Sequence, residues 1–328
     1  MEKIICIGFG SSGRRYLKNI IKLNNYEIYI ARRDLDSDIK PILADYEKYK
    51  FINYEDISKF SPYDYAFITS PSAFHFSNLK ILDNLTKGSI LIEKPLITDL
   101  NNLDQLLDIF KESQNRFFIG YQYRFHKLTK FIKNMIDKKK YGLFIEGEFM
   151  HSEDVRLWHP WEDYKESYSV NLDLGGGVKN TLSHDIDTAL YLFGEPTNNI
   201  SFEGKASFDT ELVSDTNDWH KSIFLYASGD SFKPLIINSS YNSRVNLHNF
   251  ILNFQKATFI GDYNSGLLEI YAEGGNLIKK EKLYSSKDEC YSSVLKEMVL
   301  SSNFEEKKHF TNLLDEDYIN LICKILLK

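Results

Sequence analysis

The sequence predicts an α/β protein with an N-terminal doubly wound parallel sheet and a C-terminal α/β domain built on a large, mostly antiparallel open sheet. Three observations predict it. An apolar run at residues 4–7 leads into a glycine-rich turn, strand and helix patterns alternate over the first third, and many short β-type segments fill residues 199–272. At 328 residues the chain is long enough for two hydrophobic cores.

The glycine-rich turn, Gly8-Phe9-Gly10-Ser11-Ser12-Gly13, has the spacing of a dinucleotide-binding turn. Gly8 suits the tight turn, Gly10 lets the backbone approach a pyrophosphate, and Gly13 lets the next helix pack closely on the strand. That helix, predicted for residues 14–23, directs its N–H groups and partial positive charge at the phosphates. The strand before and the helix after favour a Rossmann nucleotide-binding domain over an ordinary glycine turn.

The remaining elements follow the same two patterns. In the first domain, strands are predicted at residues 4–7, 27–31, 65–69, 89–92 and 117–121, with helices at 73–84 and 100–113. Beyond residue 125, helices are predicted at 127–138, 177–193, 292–301 and 313–327, and strands at 221–227, 235–240, 249–254 and 267–271. We therefore predict a dinucleotide-binding domain at 1–122 and a substrate-binding and oligomerisation domain at 123–328.

Composition excludes several classes of partner. The net charge of −6 argues against a polyanion ligand, and the short basic run Lys138-Lys139-Lys140 is typical of a solvated helix end, so no nucleic-acid partner is expected. No apolar stretch is long enough to span a bilayer, and no signal-peptide pattern is present. Cys6, Cys290 and Cys323 show no metal-ligand spacing, so we predict no metal site and a reducing, cytoplasmic location.

Two polar motifs follow predicted strands and should therefore line the ligand crevice at the strand ends. Thr69-Ser70-Pro71 leads into a helix that carries His75, although an ordinary βα loop has the same composition. Glu93-Lys94-Pro95 directly follows Ile90-Leu91-Ile92. A lysine can act as an acid or base near neutral pH where its surroundings lower its pKa. The alternative is a surface charge pair at a strand end.

Two segments of the second domain also carry candidate chemistry. Asn180 and His184 follow the run Gly175-Gly176-Gly177, and on a continuous helix they would share one face, where they could hold a substrate hydroxyl and move its proton. The stretch Trp158–Tyr164 combines aromatic faces with hydrogen-bonding groups, which suits a sugar and equally a domain interface.

In their order along the chain, these motifs resemble the glucose-fructose oxidoreductase / inositol dehydrogenase (Gfo/Idh/MocA) family. The resemblance includes the segment Tyr121-Gln122-Tyr123-Arg124-Phe125. Within the family the sequence is most similar to enzymes encoded with bacterial surface-sugar pathways. The resemblance implies a nicotinamide cofactor, hydride transfer at a sugar or polyol carbon, and a homodimer or homotetramer formed through the C-terminal sheet. It places the catalytic lysine at Lys94 and the catalytic histidine at His184.

The expected site residues fall into two sets. The cofactor contacts are expected at Gly8, Gly10, Ser11, Ser12, Gly13, Arg32, Arg33, Thr69, Ser70, Pro71, His75, Glu93 and Lys94. The substrate contacts are expected at Lys94, Tyr121, Arg124, Trp158, Trp161, Asn180, Thr181 and His184. Many family members carry an aspartate three or four residues before the histidine, where this chain has Thr181 and Asn180. Neither takes a proton as a carboxylate does, so proton transfer falls more heavily on Lys94 and His184.

The choice between NAD and NADP depends on the end of the second strand. An NAD-type strand usually ends in Asp or Glu, which accepts hydrogen bonds from the ribose hydroxyls. Here the strand ends in Arg32-Arg33, and an arginine can pair with a 2′-phosphate and stack on adenine. This favours NADP, whereas a shift of one residue would place Asp34 at the ribose and favour NAD.

The function predicted from these residues is an NAD(P)-dependent sugar dehydrogenase or ketoreductase, acting on a sugar or nucleotide sugar in surface-polysaccharide synthesis. Lys94 or His184 would take the hydroxyl proton, and the other would hold the developing oxyanion. Two alternatives stay open: a non-sugar oxidoreductase of the same fold, and a non-catalytic NAD(P)-binding sensor. The missing aspartate supports the sensor, and the presence of Lys94 and His184 argues against it.

Overall fold

The computed structural model describes residues 1–22, 26–32, 49–158, 163–206, 212–300 and 316–327. They form two units, one of Met1–Gln122 with Lys287–Lys328 and the other of Tyr123–Ser286. Among these described residues, no helix combines the length and the apolar character needed to cross a membrane.

The first unit contains a six-stranded parallel sheet, in the order β3-β2-β1-β4-β5-β6. Its strands are β1 (Lys3–Ile7), β2 (Glu27–Arg32), β3 (Tyr49–Asn53), β4 (Tyr63–Ile68), β5 (Thr86–Ile92) and β6 (Arg116–Ile119). The predicted Rossmann sheet is therefore confirmed. Because the order runs from β1 to β2 on one side and from β1 to β4 on the other, the switch point lies beside β1, where such sheets bind ligands.

Helices cover this sheet: α1 (Ser11–Ile20), α2 (His75–Leu85) and α3 (Leu103–Glu112). Burial explains the strands' composition, because Ile90, Leu91 and Ile92 of β5 are all fully buried, as expected where helices pack on both faces. Helix α1 begins at Ser11 instead of residue 14, since Gly10 occupies the N-cap position with extended backbone. Strand β3 was not predicted: it is a five-residue strand at the edge of the sheet, and its burial does not follow a strict alternation.

Two further helices, α7 (Lys287–Leu300) and α8 (Glu316–Leu327), also belong to the first unit. Helix α7 packs on α1, where the Tyr291 hydroxyl lies 3.1 Å from Ser12 Oγ and the Arg15 Nη1 donates to Asp288 Oδ1 at 2.8 Å. Helix α8 packs on α3. The structure therefore differs from the predicted 123–328 domain, because these contacts return the chain's last helices to the nucleotide-binding unit.

The second unit contains an eight-stranded sheet, in the order β14-β13-β12-β11-β7-β10-β9-β8. Its strands are β7 (Phe144–Asp154), β8 (Asn198–Gly204), β9 (Trp219–Ser228), β10 (Ser231–Ser240), β11 (Asn242–Phe254), β12 (Ala257–Asp262), β13 (Leu267–Tyr271) and β14 (Leu277–Lys282). All neighbours are antiparallel except β10 and β7, which confirms the predicted mostly antiparallel sheet.

Three helices accompany this sheet: α4 (Lys127–Asp137), α5 (Val178–Thr181) and α6 (His184–Phe193). Helix α6 packs against β7 and β10. Side chains alternate along β11, so that Phe250 and Leu252 are buried while Ile251 between them is 47% exposed. The sheet thus has one face in the core and one open face.

The single helix predicted for residues 177–193 is wrong, because the chain breaks at Leu182 and Ser183 between α5 and α6. The two parts are anchored to different partners: Leu182 lies in a hydrophobic cluster with Val170, whereas Asp185 is bound by His248 of β11. Asn180 and His184 therefore lie on two separate helices, α5 and α6, instead of on one continuous helix.

Candidate functional site

The turn between β1 and α1 depends on two of its glycines for packing. Gly8 has a φ of +99°, and a Cβ added there would lie 2.4 Å from the Ser70 backbone nitrogen. A Cβ on Gly13 would lie 2.6 Å from Thr69 Oγ1 and 2.8 Å from the Gly8 carbonyl oxygen. These glycines bring the β1 turn against the loop after β4, which is the packing that the motif predicts.

Gly10 differs from the other two, because a Cβ added there would meet no atom of the described residues within 4 Å apart from its chain neighbours. It stands at the N-cap of α1, whose first turn contains no acidic residue. The N–H groups of Ser11, Ser12 and Gly13 are those that a helix leaves without an intrahelical acceptor. Open space in front of such donors, with the positive end of the helix dipole behind them, fits a pyrophosphate.

A cavity of about 320 Å³ adjoins this turn. Its walls include Gly8, Phe9, Arg32, Tyr54, Pro71 and Phe74. The aromatic and proline walls suit a flat base, and Arg32 at the end of β2 supplies a cation. The other predicted residue of this pair, Arg33, lies outside the described residues.

The loop after β4, which begins at Thr69, packs against the turn between β1 and α1. The Thr69 backbone N–H donates to the Ile7 carbonyl oxygen at 2.9 Å, and its hydroxyl donates to the Gly8 carbonyl oxygen at 2.9 Å. Ser70 Oγ accepts a hydrogen bond from Asn78 Nδ2 at 2.9 Å, and Asn78 in turn accepts one from the Tyr54 hydroxyl. This chain fixes the cavity wall next to Pro71.

His75 joins two loops of the candidate site. Its Nδ1 lies 2.7 Å from the Pro95 carbonyl oxygen and its Nε2 lies 2.9 Å from the Ser70 carbonyl oxygen. Burial lowers the pKa of this imidazole to about 4, so the ring is neutral near pH 7 and donates through one nitrogen. A neutral ring donates to only one of these two carbonyl oxygens, and the shorter contact, to Pro95, is the one that ties His75 to the loop after β5.

The motif Glu93-Lys94-Pro95 lies at the carboxyl end of β5, with a cis peptide bond between Lys94 and Pro95. Lys94 is half-buried, and its backbone N–H donates to Glu93 Oε2 at 3.3 Å. Burial raises the pKa of Glu93 to about 7, against the lowering effect of Lys94 beside it. A buried carboxyl group therefore stands next to the candidate catalytic lysine.

The raised pKa of Glu93 predicts a pH-dependent stability. The folded chain holds this proton more tightly than the unfolded chain, so the contribution is complete below pH 4.5 and is lost as the pH rises through about 7. Relative to wild type, Glu93→Gln should gain up to about 3 kcal/mol in unfolding free energy between pH 5 and pH 8. Urea unfolding at each pH measures this difference. The exposed control Glu112→Gln should show no such gain, and an equal gain in both variants would contradict the assignment.

In the second unit, His184 begins α6 and is 6% exposed. The Tyr123 ring packs on it, with ring centroids 5.0 Å apart. Arg124 forms an ion pair with Asp187 of α6, in which its Nε lies 2.9 Å from Asp187 Oδ2. Tyr121, predicted with Arg124, is a buried residue of the first unit. The ion pair fixes the segment at residues 122–125 against the helix that carries His184.

The two residues at the expected aspartate positions have clear partners. Asn180 Nδ2 donates to the carbonyl oxygens of Gly175 and Gly176, at 3.2 Å and 3.3 Å. Thr181 is buried beside the Tyr241 hydroxyl. Asn180 therefore orders the glycine run, which is a structural contact that helical spacing did not indicate.

The aromatic stretch divides in two. Trp158 is half-buried and stands edge-on to Tyr241, with ring centroids 5.3 Å apart. It packs with Tyr164 on a hydrophobic cluster that contains Val155 and Val170. Trp161 lies outside the described residues. The described part of the stretch contributes to core packing.

Sequence reasoning missed Tyr54 and Asn78 in the cavity wall and Tyr123 against His184. Tyr54 directly follows β3, so identifying that strand would have placed it at a carboxyl strand end. Tyr123 lies in the motif at residues 121–125, but neither its contact with His184 nor the position of Asn78 could be predicted, because both depend on tertiary packing.

Comparison with protein families gives a match over residues 3–121 to a family described as oxidoreductases with an NAD-binding Rossmann fold (GFO_IDH_MocA). Two curated proteins are similar. A 1-carboxy-3-chloro-3,4-dihydroxycyclohexa-1,5-diene dehydrogenase from Comamonas testosteroni is 27% identical over 40% of this chain and 32% of its own length. The myo-inositol 2-dehydrogenase of Thermotoga maritima is 23% identical over 64% of this chain and 60% of its own length. The chain thus matches less than two thirds of either relative.

Solved structures extend the likeness to the whole fold. An aldose-aldose oxidoreductase from Caulobacter crescentus superposes with a TM-score of 0.78 at 16% identity, covering 99% of this chain and 95% of that one. At this identity the comparison shows a shared fold and nothing finer. Both sheets described above are therefore parts of one known architecture.

Proposed function

Because residues 3–121 match the Gfo/Idh/MocA oxidoreductase family, we propose that this chain transfers hydride between a nicotinamide nucleotide and a carbinol or keto carbon of a sugar or nucleotide sugar. The observation that carries the proposal is the open space at Gly10 in front of the N–H groups of α1. Lys94 lies just beyond the end of β5, which is separated from β1 by one strand of the same sheet. A nicotinamide nucleotide, when bound, supplies the hydride acceptor for oxidation or the donor for reduction.

The chain's own residues would then hold the cofactor and move a proton. The N–H groups at the start of α1 bind the pyrophosphate, and Thr69 and His75 fix the two loops that flank it. We propose that Lys94 takes the substrate hydroxyl proton during oxidation and returns it during reduction. His184 is the proposed second catalytic side chain, and Arg124 keeps its helix in place through Asp187.

The substrate class is proposed from the relatives' names. One relative is named as a dehydrogenase of myo-inositol and the other of a dihydroxylated cyclohexadiene, and each of these is a ring that carries hydroxyl groups. We propose a sugar or nucleotide sugar in surface-polysaccharide synthesis, and a cytoplasmic location. A panel of nucleotide sugars, free polyols and dihydrodiols, assayed for NADPH or NADH formation, tests this. Turnover of dihydrodiols alone would replace the sugar proposal.

We expect a preference for NADP over NAD from Arg32, which ends β2, and from Arg33, which follows it in the sequence. Arg32 lines the cavity, and a guanidinium can pair with a 2′-phosphate. Arg32→Asp and Arg33→Asp should each weaken NADPH binding by about tenfold or more and NADH binding far less, since a charged hydrogen bond contributes about 1.5–3 kcal/mol. Fluorescence titration with both nucleotides measures this, and equal losses in both would refute the role of these arginines in discrimination.

We also propose that the open face of the eight-stranded sheet binds a second copy of this chain. Strand pairing places Ile200, Ile223 and Ile236 in one row across β8, β9 and β10. The row continues through Glu148 to Ile251 and Ile260. The five isoleucines form two apolar stretches on either side of Glu148, and exposed apolar side chains grouped in this way on a sheet are typical of a subunit interface.

Substitution within that row tests the interface. Ile251→Lys should convert the oligomer to monomers in sedimentation velocity, because burying an ammonium group at an apolar interface is costly. The control Ile81→Lys, at an exposed isoleucine of α2, should leave the oligomer intact. A monomeric wild type, or an Ile251→Lys oligomer as stable as wild type, would contradict the proposal.

A further inference from the structure

A cluster of ionisable side chains is buried in the second unit, apart from the residues assigned above. His151 of β7 and His248 of β11 are cross-strand partners, and Asp185 lies in the first turn of α6. The exposed fractions of the three residues are 4%, 1% and 1%. Three elements that are distant in sequence thus bring two imidazoles and a carboxylate to one buried place.

The contacts centre on the carboxylate. Asp185 Oδ1 lies 2.9 Å from His248 Nε2, and Asp185 Oδ2 lies 3.8 Å from His151 Nδ1. One nitrogen of each histidine and one oxygen of Asp185 all lie within 4.8 Å of one another. The spacing is that of a ligand set around a single small ion.

Three buried polar atoms in this cluster lack a hydrogen-bond partner among the described residues: Asp185 Oδ2, His151 Nδ1 and His248 Nδ1. Leaving such atoms unsatisfied costs about 1–3 kcal/mol each. Within the described part of the chain, the titratable groups that act on the Asp185 carboxylate are His248 and His151, and neither a lysine nor an arginine is among them. A cation at this place would satisfy both the charge and the open oxygen.

A neighbouring carboxylate, that of Glu153, fixes the tautomer of the His151 ring. Glu153 Oε1 lies 2.9 Å from His151 Nε2, which places the ring's proton on that nitrogen and leaves the Nδ1 lone pair facing Asp185. Metal-binding histidines in proteins commonly donate their other N–H to a carboxylate in this way. Two imidazole nitrogens and one carboxylate form a donor set suited to Zn²⁺ and similar divalent ions.

We propose that His151, Asp185 and His248 bind one divalent transition-metal ion of the Zn²⁺ class, with Glu153 holding His151 in the ligating tautomer. The two rings stack with centroids 3.8 Å apart and planes 8° apart, so one ring turns about its Cβ–Cγ bond as the ion binds. This torsion is soft in histidine. Turning the His248 ring exchanges its hydrogen bond from Nε2 to Asp185 Oδ1 for a bond to the ion, while Nδ1 has no partner among the described residues to lose. The ion ties the start of α6 to β7 and β11.

The test uses the full chain without an affinity tag. After dialysis against Zn²⁺ and then against metal-free buffer, elemental analysis should find about one zinc per chain. A Co²⁺ titration should reach saturation with the visible absorption of a low-coordinate site. Asp185→Asn and His151→Gln should lose the bound zinc, and Glu153→Gln should bind it about 10- to 100-fold more weakly.

The control His220→Gln removes another buried histidine of the same sheet, one that is bonded to Ser222, and should retain the zinc. Wild-type protein that retains no zinc and gives no saturable Co²⁺ spectrum would overturn the proposal, and this measurement does not require any variant to fold. Equal zinc content in wild type and a folded Asp185→Asn variant would overturn it as well. Elemental and spectroscopic readouts do not depend on turnover, so they are separate from the test of the enzymatic function.

Discussion

Lys94→Ala should lower kcat by about 100- to 10,000-fold while NADPH and NADH still bind, because a positioned acid–base group contributes about that factor. The lysine lies two residues beyond the end of β5 and is half-buried. Its backbone N–H donates to Glu93, and the carbonyl oxygen of the next residue, Pro95, contacts His75. Removing its side chain takes away the proton acceptor and leaves the turn at Gly8–Gly13 unchanged. Steady-state kinetics together with nucleotide titration separates these two effects.

Lys87→Ala is the matched control, since Lys87 is an exposed lysine of β5, the strand that precedes Lys94. It should retain wild-type kcat. A Lys94→Ala enzyme with near wild-type turnover would refute the catalytic assignment, and loss of nucleotide binding in that variant would show that the lysine acts on the cofactor instead.

Gly10→Ala should weaken nucleotide binding by about 10- to 100-fold and change the unfolding free energy by less than about 1 kcal/mol. Beyond its chain neighbours, the added methyl group meets no atom within 4 Å in the part of the chain that the structure describes, so we expect the fold to accept it. It occupies the space where the pyrophosphate must approach the N–H groups of α1. Calorimetry with NADPH and thermal unfolding measure the two quantities separately.

Gly8→Ala gives the contrasting result. Its Cβ would press on the Ser70 backbone at 2.4 Å with φ at +99°, so stability and nucleotide binding should fall together. If Gly10→Ala binds both nucleotides as tightly as wild type, the turn is not a pyrophosphate cradle and the proposed cofactor site is wrong.

The sequence predicted the parts of the fold that local patterns control. Strands β1, β5 and β13 have apolar or alternating runs flanked by turn residues, and the structure has them within a few residues of the predicted positions. Strand β7 was not predicted, although it lies between β11 and β10 in the middle of the sheet. Its composition, with Glu146, Glu148 and Glu153, resembles an exposed segment, and only pairing on both sides makes it central.

In the candidate site, too, the features that depend on local sequence were predicted, and those that depend on tertiary packing were not. Gly8 and Gly13 could be identified from spacing, because the turn geometry is local. The break at Leu182 and the partners of Asn180 could not, since they depend on what each end of the segment packs against. The cluster of His151, Asp185 and His248 has no sequence signature, because β-sheet register brings its histidines together.

We propose that the first unit binds a nicotinamide nucleotide. A fluorescence titration of the purified chain with NADPH and, in parallel, with NADH measures this binding. We expect saturable binding at one site per chain, tighter for NADPH, and weaker by about 10- to 100-fold in Gly10→Ala. No saturable binding of either nucleotide by the folded protein would contradict it.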